Sequence, residues 1–468
     1  MNDAPATGFR MEHDSLGQVA VPHGVYYGAQ TARAVANFPI SGVPISHYPS
    51  LIRALAMVKQ AAAIANQALG TLSKAKADAI AAAAQEVIDG QHHAHFPVDV
   101  FQGGAGTSTN MNINEVLSHR GLELLGRTRE ETDALHPNDD VNMSQSTNDT
   151  YPTAVRLSVL LSTGQLLRAL DLLAIAFERK AEETADIVKL GRTQLQDAVP
   201  MLLGQELGAY GATIREDIQR LEEASKLLCE VNLGGTAIGT RINADPAYGK
   251  LAIAELARIS GFAFVQSGNL VEASWDMGGF VMFSGVLKRI ATKLSKIAND
   301  LRLLSSGPRG GIGEIALPPM QPGSSIMPGK VNPVIPEVLN IVCFQVIGND
   351  LAVTMAAEGG QLQLNAFEPL IAHNILSSLQ LLANAVQTFT DRCVTGITAR
   401  RDVCARHVEN SVSTVTALVP ILGYERAAAL AKQALAEGRT VRELAREALL
   451  MSDEALDDVL NPGKLATA

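Results

Sequence analysis

Two adjacent serines, a lysine six residues after the first and an asparagine two beyond it lie within Gly323-Ser324-Ser325-Ile326-Met327-Pro328-Gly329-Lys330-Val331-Asn332-Pro333. Three other stretches are also rich in hydroxyls and amides: Gly106-Thr107-Ser108, Ser144-Gln145-Ser146-Thr147-Asn148 and Gly191-Arg192-Thr193-Gln194. Hydroxyl and amide donors that converge with one ammonium group make a pocket for carboxylates. Helix capping competes with this reading, because Ser, Thr, Asn and Asp are the preferred N-caps. Any single cluster is explained equally well by capping; four of them favour a shared anion site.

Other chemistries fit less well. His92, His93 and His95 match no standard metal spacing and have no carboxylates arranged around them, so they read as surface histidines, and no metal site is expected. Gly307-Pro308-Arg309-Gly310-Gly311-Ile312-Gly313 lacks the G-K-[S/T] ending of a phosphate loop. Ser324 and Lys330 are too far apart for S-x-x-K, and no G-x-S-x-G elbow occurs. No cofactor is implied.

The elements that must position these clusters read as mainly helical. Helical patterning covers 51–91, about Asn114 to Leu125, 153–187, 201–232, 281–305, 335–358 and 366–391. Leu287, Ile290, Leu294, Ile297, Leu301 and Leu304 alternate in spacing by three and four, the seam of a coiled-coil-like bundle. Helices of about 30 residues reach roughly 45 Å and suit a bundle that packs against other subunits. Residues 306–333 form a long Gly/Pro-rich loop, a type that is usually functional. Shorter charged helices follow at 426–437, 440–449 and 453–460. Period-two patterns are scarce, and 97–112 and 136–150 read as loops.

Composition narrows the function. Hydrophobic residues make up 47 % and charged residues 18 % of the 468, which argues against disorder. Aromatics are 4 %, so the core is built from Ala, Leu, Ile and Val. A net charge of −10 without a basic stripe makes nucleic acid or an anionic membrane a poor partner. The four cysteines form no C-x-x-C pair and read as reduced, mostly buried thiols. The N-terminus has no apolar signal core and no long apolar run reads as a membrane span, so the expected compartment is the cytoplasm.

GSSIMPGKVNP (323–333) resembles the signature loop of the fumarase/aspartase superfamily. GGAGTSTNMNINE (103–115), HPNDDVNMSQSTND (136–149), GRTQLQDAVP (191–200) and GGTAIGT (234–240) resemble its other blocks in the same order. The likeness runs from about residue 10 to Asn461. STND (146–149), VIPE (334–337) and AAEGGQLQLNAFEP (356–369) place it nearer the aspartase branch than the fumarase branch.

The resemblance implies a three-domain fumarase/aspartase fold: an N-terminal domain over 1–145, a central long-helix bundle over 146–400 and a small helical domain over 401–468. It implies a homotetramer with a shared helical core and active sites built from three subunits. It also implies reversible deamination of a dicarboxylate, L-aspartate, to fumarate. Alternatives are a fumarate hydratase, a lyase acting on an N-substituted aspartate, or a catalytically silent structural homologue. By the same resemblance Ser324 is the base. Thr107, Ser146, Thr147 and Ser325 hold the β-carboxylate, and Lys330 and Asn332 the α-carboxylate. Asn148, Thr193 and Gln194 surround the amino group.

Four positions depart from the pattern. Gln194 occupies a position where fumarases, and some aspartases, carry His. A glutamine cannot protonate a leaving hydroxide, but its carbonyl can hold an ammonium, which leaves as neutral ammonia. Arg241 stands where the family usually has Gly. Asp140 and Met143 stand where His and Lys are common.

Overall fold

The computed structural model describes residues 8–467. The chain is mainly helical. A hairpin of β1 (Phe9–Asp14) and β2 (Gly17–Pro22) opens it, followed by α1 (Ala29–Asn37). The helical stretch expected over 51–91 is two helices, α2 (Pro49–Ala68) and α3 (Lys74–Ile88). Pro49 starts α2 at a position where its missing N–H costs nothing. The chain then turns at Gly70 in the left-handed region before Ser73 caps α3.

Next come α4 (Thr107–Leu124), α5 (Thr147–Glu183), β3 (Val188–Thr193), β4 (Gln196–Leu202) and α6 (Leu203–Leu227). They are followed by α7 (Tyr248–Ser260), α8 (Gly278–Leu304), α9 (Val334–Glu358) and α10 (Glu368–Arg392). The predicted α8 seam is buried at every position, from Leu287 to Leu304. Small helices close the chain: α11 (Arg401–Asn410), α12 (Val419–Leu422), α13 (Tyr424–Glu437), α14 (Val441–Glu447), α15 (Asp453–Val459) and α16 (Pro462–Thr467). Leu418, Leu430, Val441, Leu444, Leu456 and Leu460 form a core of their own there. Thr440 and Glu443 close a capping box at the start of α14.

The chain divides into two compact units, each drawn from three stretches. The first takes the chain up to Leu166, Arg220–Arg289 and Gln345–Leu381. The second takes Leu167–Gln219, Ile290–Phe344 and everything from Leu382 onward.

Several expectations are corrected. The segment around 191–200 is an antiparallel hairpin rather than an interhelical loop. Helix α4 starts at Thr107, seven residues before the predicted Asn114, because its first turns carry Thr, Ser and Asn instead of an apolar stripe. His92, His93 and His95 are half-buried rather than superficial. The rings of His92 and His95 pack edge-on to Tyr26, which Arg129 covers from 4.1 Å. Two helices, α5 and α9, are long and apolar enough to cross a bilayer by length and composition alone. Cys343, Cys393 and Cys404 are buried free thiols, and Cys229 is partly buried.

Candidate active site

Between α8 and α9 the only regular structure is the two-residue strand Ile315–Ala316. The signature loop nevertheless has a defined shape. Gly323 N donates to Lys330 O at 2.7 Å, and Asn332 Nδ2 donates to Gly323 O at 3.0 Å, which ties the two ends together. A Cβ on Gly323 would sit 2.8 Å from Lys330 O and 2.9 Å from Asn332 N, so only glycine permits this closure. Ser324 Oγ is half-buried and accepts the backbone N–H groups of Ile326 (3.1 Å) and Met327 (3.0 Å). Such a pair forms an ordinary serine turn. It also stabilises negative charge on Oγ, which a serine acting as a base requires. Ser325 and Lys330 are exposed.

Thr193 and Gln194 lie at the tip of the β3–β4 hairpin, where Thr193 pairs with Gln196. The turn residues Gln194 and Leu195 have φ of 52° and 61°. A two-residue turn with both φ positive matches strand twist, but it normally selects Asn or Gly. Non-glycine residues held in this region cluster at functional sites. Thr193 and Gln194 are exposed.

A buried hub supports this hairpin. Glu314, fully buried, lies 3.0 Å from Lys189, 2.9 Å from Arg192 and 2.9 Å from His407. Burial alone would raise its pKa. Arg192, Lys189 and His407 outweigh burial and hold the carboxyl below its usual range. Sequence reading missed Glu314; a lone Glu in a Gly-rich loop carried no signal.

The other hydroxyl-bearing residues belong to the first unit. Gly106, with φ of 85°, caps α4, and a Cβ there would meet the Tyr151 ring at 2.5 Å. This turn presents Thr107 at the surface, its hydroxyl donating to Gly104 O at 2.7 Å. Ser146, Thr147 and Asn148 open α5. Ser146 Oγ accepts Asn148 N at 3.2 Å, and Thr147 Oγ1 accepts Asn110 Nδ2 at 3.1 Å. Asn148 Nδ2 donates to Ala237 O at 2.8 Å, which leaves its Oδ1 for a donor such as an ammonium.

Of the departing residues, Asp140 accepts Lys76 Nζ and its own turn's His136 N, each at 2.7 Å, as a structural brace. Met143 contributes its carbonyl to Asn66 Nδ2 at 2.9 Å and Gln145 Nε2 at 3.1 Å. Arg241 is exposed with φ of 62°, a conformation that favours the glycine usual there.

Thr107, Ser146, Thr147 and Asn148 thus belong to the first unit. Thr193, Gln194, Ser324, Ser325, Lys330 and Asn332 belong to the second. A cavity of about 570 Å³ lined by Asp186, Arg401, Val408, Arg442 and Leu460 contains none of them. Among the described residues no group of three or more His, Cys, Asp or Glu is arranged to hold a metal.

The chain belongs to the lyase family, whose model matches residues 17–348, and residues 415–467 match the model of the fumarase C C-terminus. It is 60 % identical over 458 residues to the aspartate ammonia-lyase of Pseudomonas canavaninivorans, covering 98 % of this chain and 97 % of that one. It is 51 % identical over 457 residues to the aspartate ammonia-lyase of Escherichia coli K12, covering 97 % and 96 %. Among solved structures, a fumarate lyase:delta crystallin from Brucella melitensis superposes with a TM-score of 0.96 at 62 % identity, covering 98 % of this chain and 99 % of that one. A class II fumarase from Schistosoma mansoni superposes with a TM-score of 0.94 at 38 % identity, with the same coverage.

Proposed function

We propose that this protein is an aspartate ammonia-lyase, converting L-aspartate reversibly to fumarate and ammonia. The observation that carries the reading is the 51–60 % identity, over nearly the full chain, to proteins of that name.

The chemistry follows from the carbon acid. Ser324, as an alkoxide held by the N–H groups of Ile326 and Met327, takes a proton from Cβ. The electron pair moves into the β-carboxylate as a dianionic aci-carboxylate. Thr107, Ser146, Thr147 and Ser325 donate to its oxygens. Lys330 and Asn332 hold the α-carboxylate. Asn148, Thr193 and Gln194 surround the ammonium. Collapse of the intermediate breaks the Cα–N bond; the nitrogen leaves as neutral ammonia and needs no acid from Gln194. Closure of the signature loop excludes water from the charged intermediate.

The functional form is a homotetramer in the cytoplasm, each site taking its residues from three copies. In support, α9 carries Val338, Ile341, Phe344, Leu351 and Met355, which are 40 to 64 % exposed and repeat at helical spacing. A row of that size on one long helix marks a protein contact. The three divisions 1–145, 146–400 and 401–468 remain our reading of the domains.

The test is incubation of the protein with L-aspartate, L-malate and an N-substituted aspartate in turn, following fumarate by its ultraviolet absorbance. Fumarate from aspartate is expected. Fumarate from malate alone would instead make it a hydratase, a reading favoured by the likeness to the Schistosoma fumarase. Fumarate from the substituted aspartate alone would move the activity to that substrate. No fumarate from any of the three would leave a silent homologue.

A further inference from the structure

Lys59 lies on α2 and is fully buried. Its Nζ donates to Asn142 Oδ1 at 2.9 Å and to Gln145 Oε1 at 2.8 Å. Burial pushes its pKa down to about 7, with Asp149 opposing, and in the observed geometry Nζ is the donor in both bonds, which sets both amides oxygen-first. The rest of the network follows from that. Gln145 turns Nε2 to the carbonyls of Val141 (3.0 Å) and Met143 (3.1 Å). Asn142 turns Nδ2 to Gln145 O at 3.3 Å. Asn142 Oδ1 also receives Nδ2 of Asn110 (3.1 Å) and of Asn114 (3.2 Å), so those amides are set nitrogen-first. Asn110 Nδ2 then reaches Thr147 Oγ1 at 3.1 Å. A hydroxyl that accepts in this way keeps its own proton for another acceptor.

We infer that Lys59 is a positioning residue that, through Asn142 and Asn110, aims the Thr147 hydroxyl as a donor at the substrate's β-carboxylate. The inference rests on the role proposed above for Thr147. Two observations separate it from a packing role. An apolar side chain would fill the same interior without the penalty of burying a charge. The Oδ1 atoms of Asn110 and Asn114 are buried without a partner, so satisfaction of two amide oxygens is forgone to keep the nitrogens turned inward.

Asn110→Asp keeps the shape and replaces the donor by an acceptor. Thr147 must then donate into the protein, and its proton is lost to the substrate. The expected result is a loss of about a hundredfold in kcat with a much smaller change in KM. Lys59→Met, or Lys59→Gln if the methionine variant does not assemble, should act in the same direction. The decisive measurement is a double-mutant cycle with Thr147→Val. In that background Asn110→Asp and the Lys59 variant should cost no more than about twofold further. Equal losses in both backgrounds, or an Asn110→Asp enzyme of normal kcat, would overturn the inference while leaving Thr147 a substrate ligand. A Thr147→Val enzyme with normal kcat would remove Thr147 from the site and the inference with it.

Discussion

The carboxylate of Asp149 accepts the backbone N–H of Thr236 at 2.9 Å. The same buried side chain takes Gly234 N and Ser146 N, each at 3.0 Å, and the Thr150 hydroxyl at 3.2 Å. One charge therefore fastens the loop after Asn232 to the start of α5, where Ser146, Thr147 and Asn148 sit. Burial raises the Asp149 pKa, opposed by the N–H donors of Ser146, Thr236 and Gly234. Asp149→Asn should present a donor to at least one of those N–H groups. A loss of roughly 2–4 kcal/mol of stability is expected, together with a higher KM for aspartate. Denaturant unfolding and steady-state kinetics check both; an unchanged midpoint would mean the loops are held otherwise.

Ser324→Ala should lower kcat at least about hundredfold, since it removes the proposed base. Ser324 is half-buried in a largely exposed loop outside the core, so stability should change by less than about 0.5 kcal/mol. Retention of more than about a tenth of the turnover, a loss below about 1.4 kcal/mol, would transfer the role of base to another group.

Glu368 is buried at 2 % exposure, and neither carboxylate oxygen has a hydrogen-bond partner among the described residues. Burial pushes its pKa from 4.5 up to about 8, with Arg156 opposing. Across that window the folded chain holds a proton that the unfolded chain has released. The stability contributed by the protonated carboxyl is complete below pH 4.5 and is lost as pH rises to about 8. Glu368→Gln keeps a neutral side chain at all pH. Its melting temperature should gain on the parent's steadily across this range, by the equivalent of a few kcal/mol at the alkaline end. Parallel melting curves would show that Glu368 is ionised in the fold.

Arg241→Gly should stabilise the chain by about 0.5–1 kcal/mol, because glycine adopts a φ of 62° without the Cβ penalty that arginine bears. Turnover of aspartate should change less than about twofold, given an exposed side chain. A large rise in KM would instead make Arg241 a substrate contact.

Ile341→Asp or Leu351→Asp places a charge on the exposed apolar face of α9, where the native side chains are each 64 % exposed. The proposed homotetramer should dissociate and lose activity, as read by sedimentation equilibrium alongside the fumarate assay. A tetramer that survives both changes would put the contact elsewhere.

The long helices were legible in the sequence because their apolar periodicity is local and repeated. The α8 seam reads in the side chains from Leu287 to Leu304, and burial follows it. The candidate site residues drew notice for another reason: hydroxyls, amides and one lysine bounded by Gly and Pro suit a carboxylate pocket by type, and their individual roles, taken from the family resemblance, stand as proposals. The hairpin under Gln194 was hidden. Its turn holds Gln and Leu at positive φ, where local preference calls for Asn or Gly, and only the paired strands impose that shape. The start of α4 was hidden too, since polar residues in its first turns face other polar groups instead of an apolar core. Glu314 and Lys59 lay beyond sequence reading altogether. Each acts through partners far away in the chain: Lys189 and His407 for the first, Asn142 and Gln145 for the second. A charge can stay in a dry interior only when folding brings such partners to it, so tertiary structure alone decided what those two residues do.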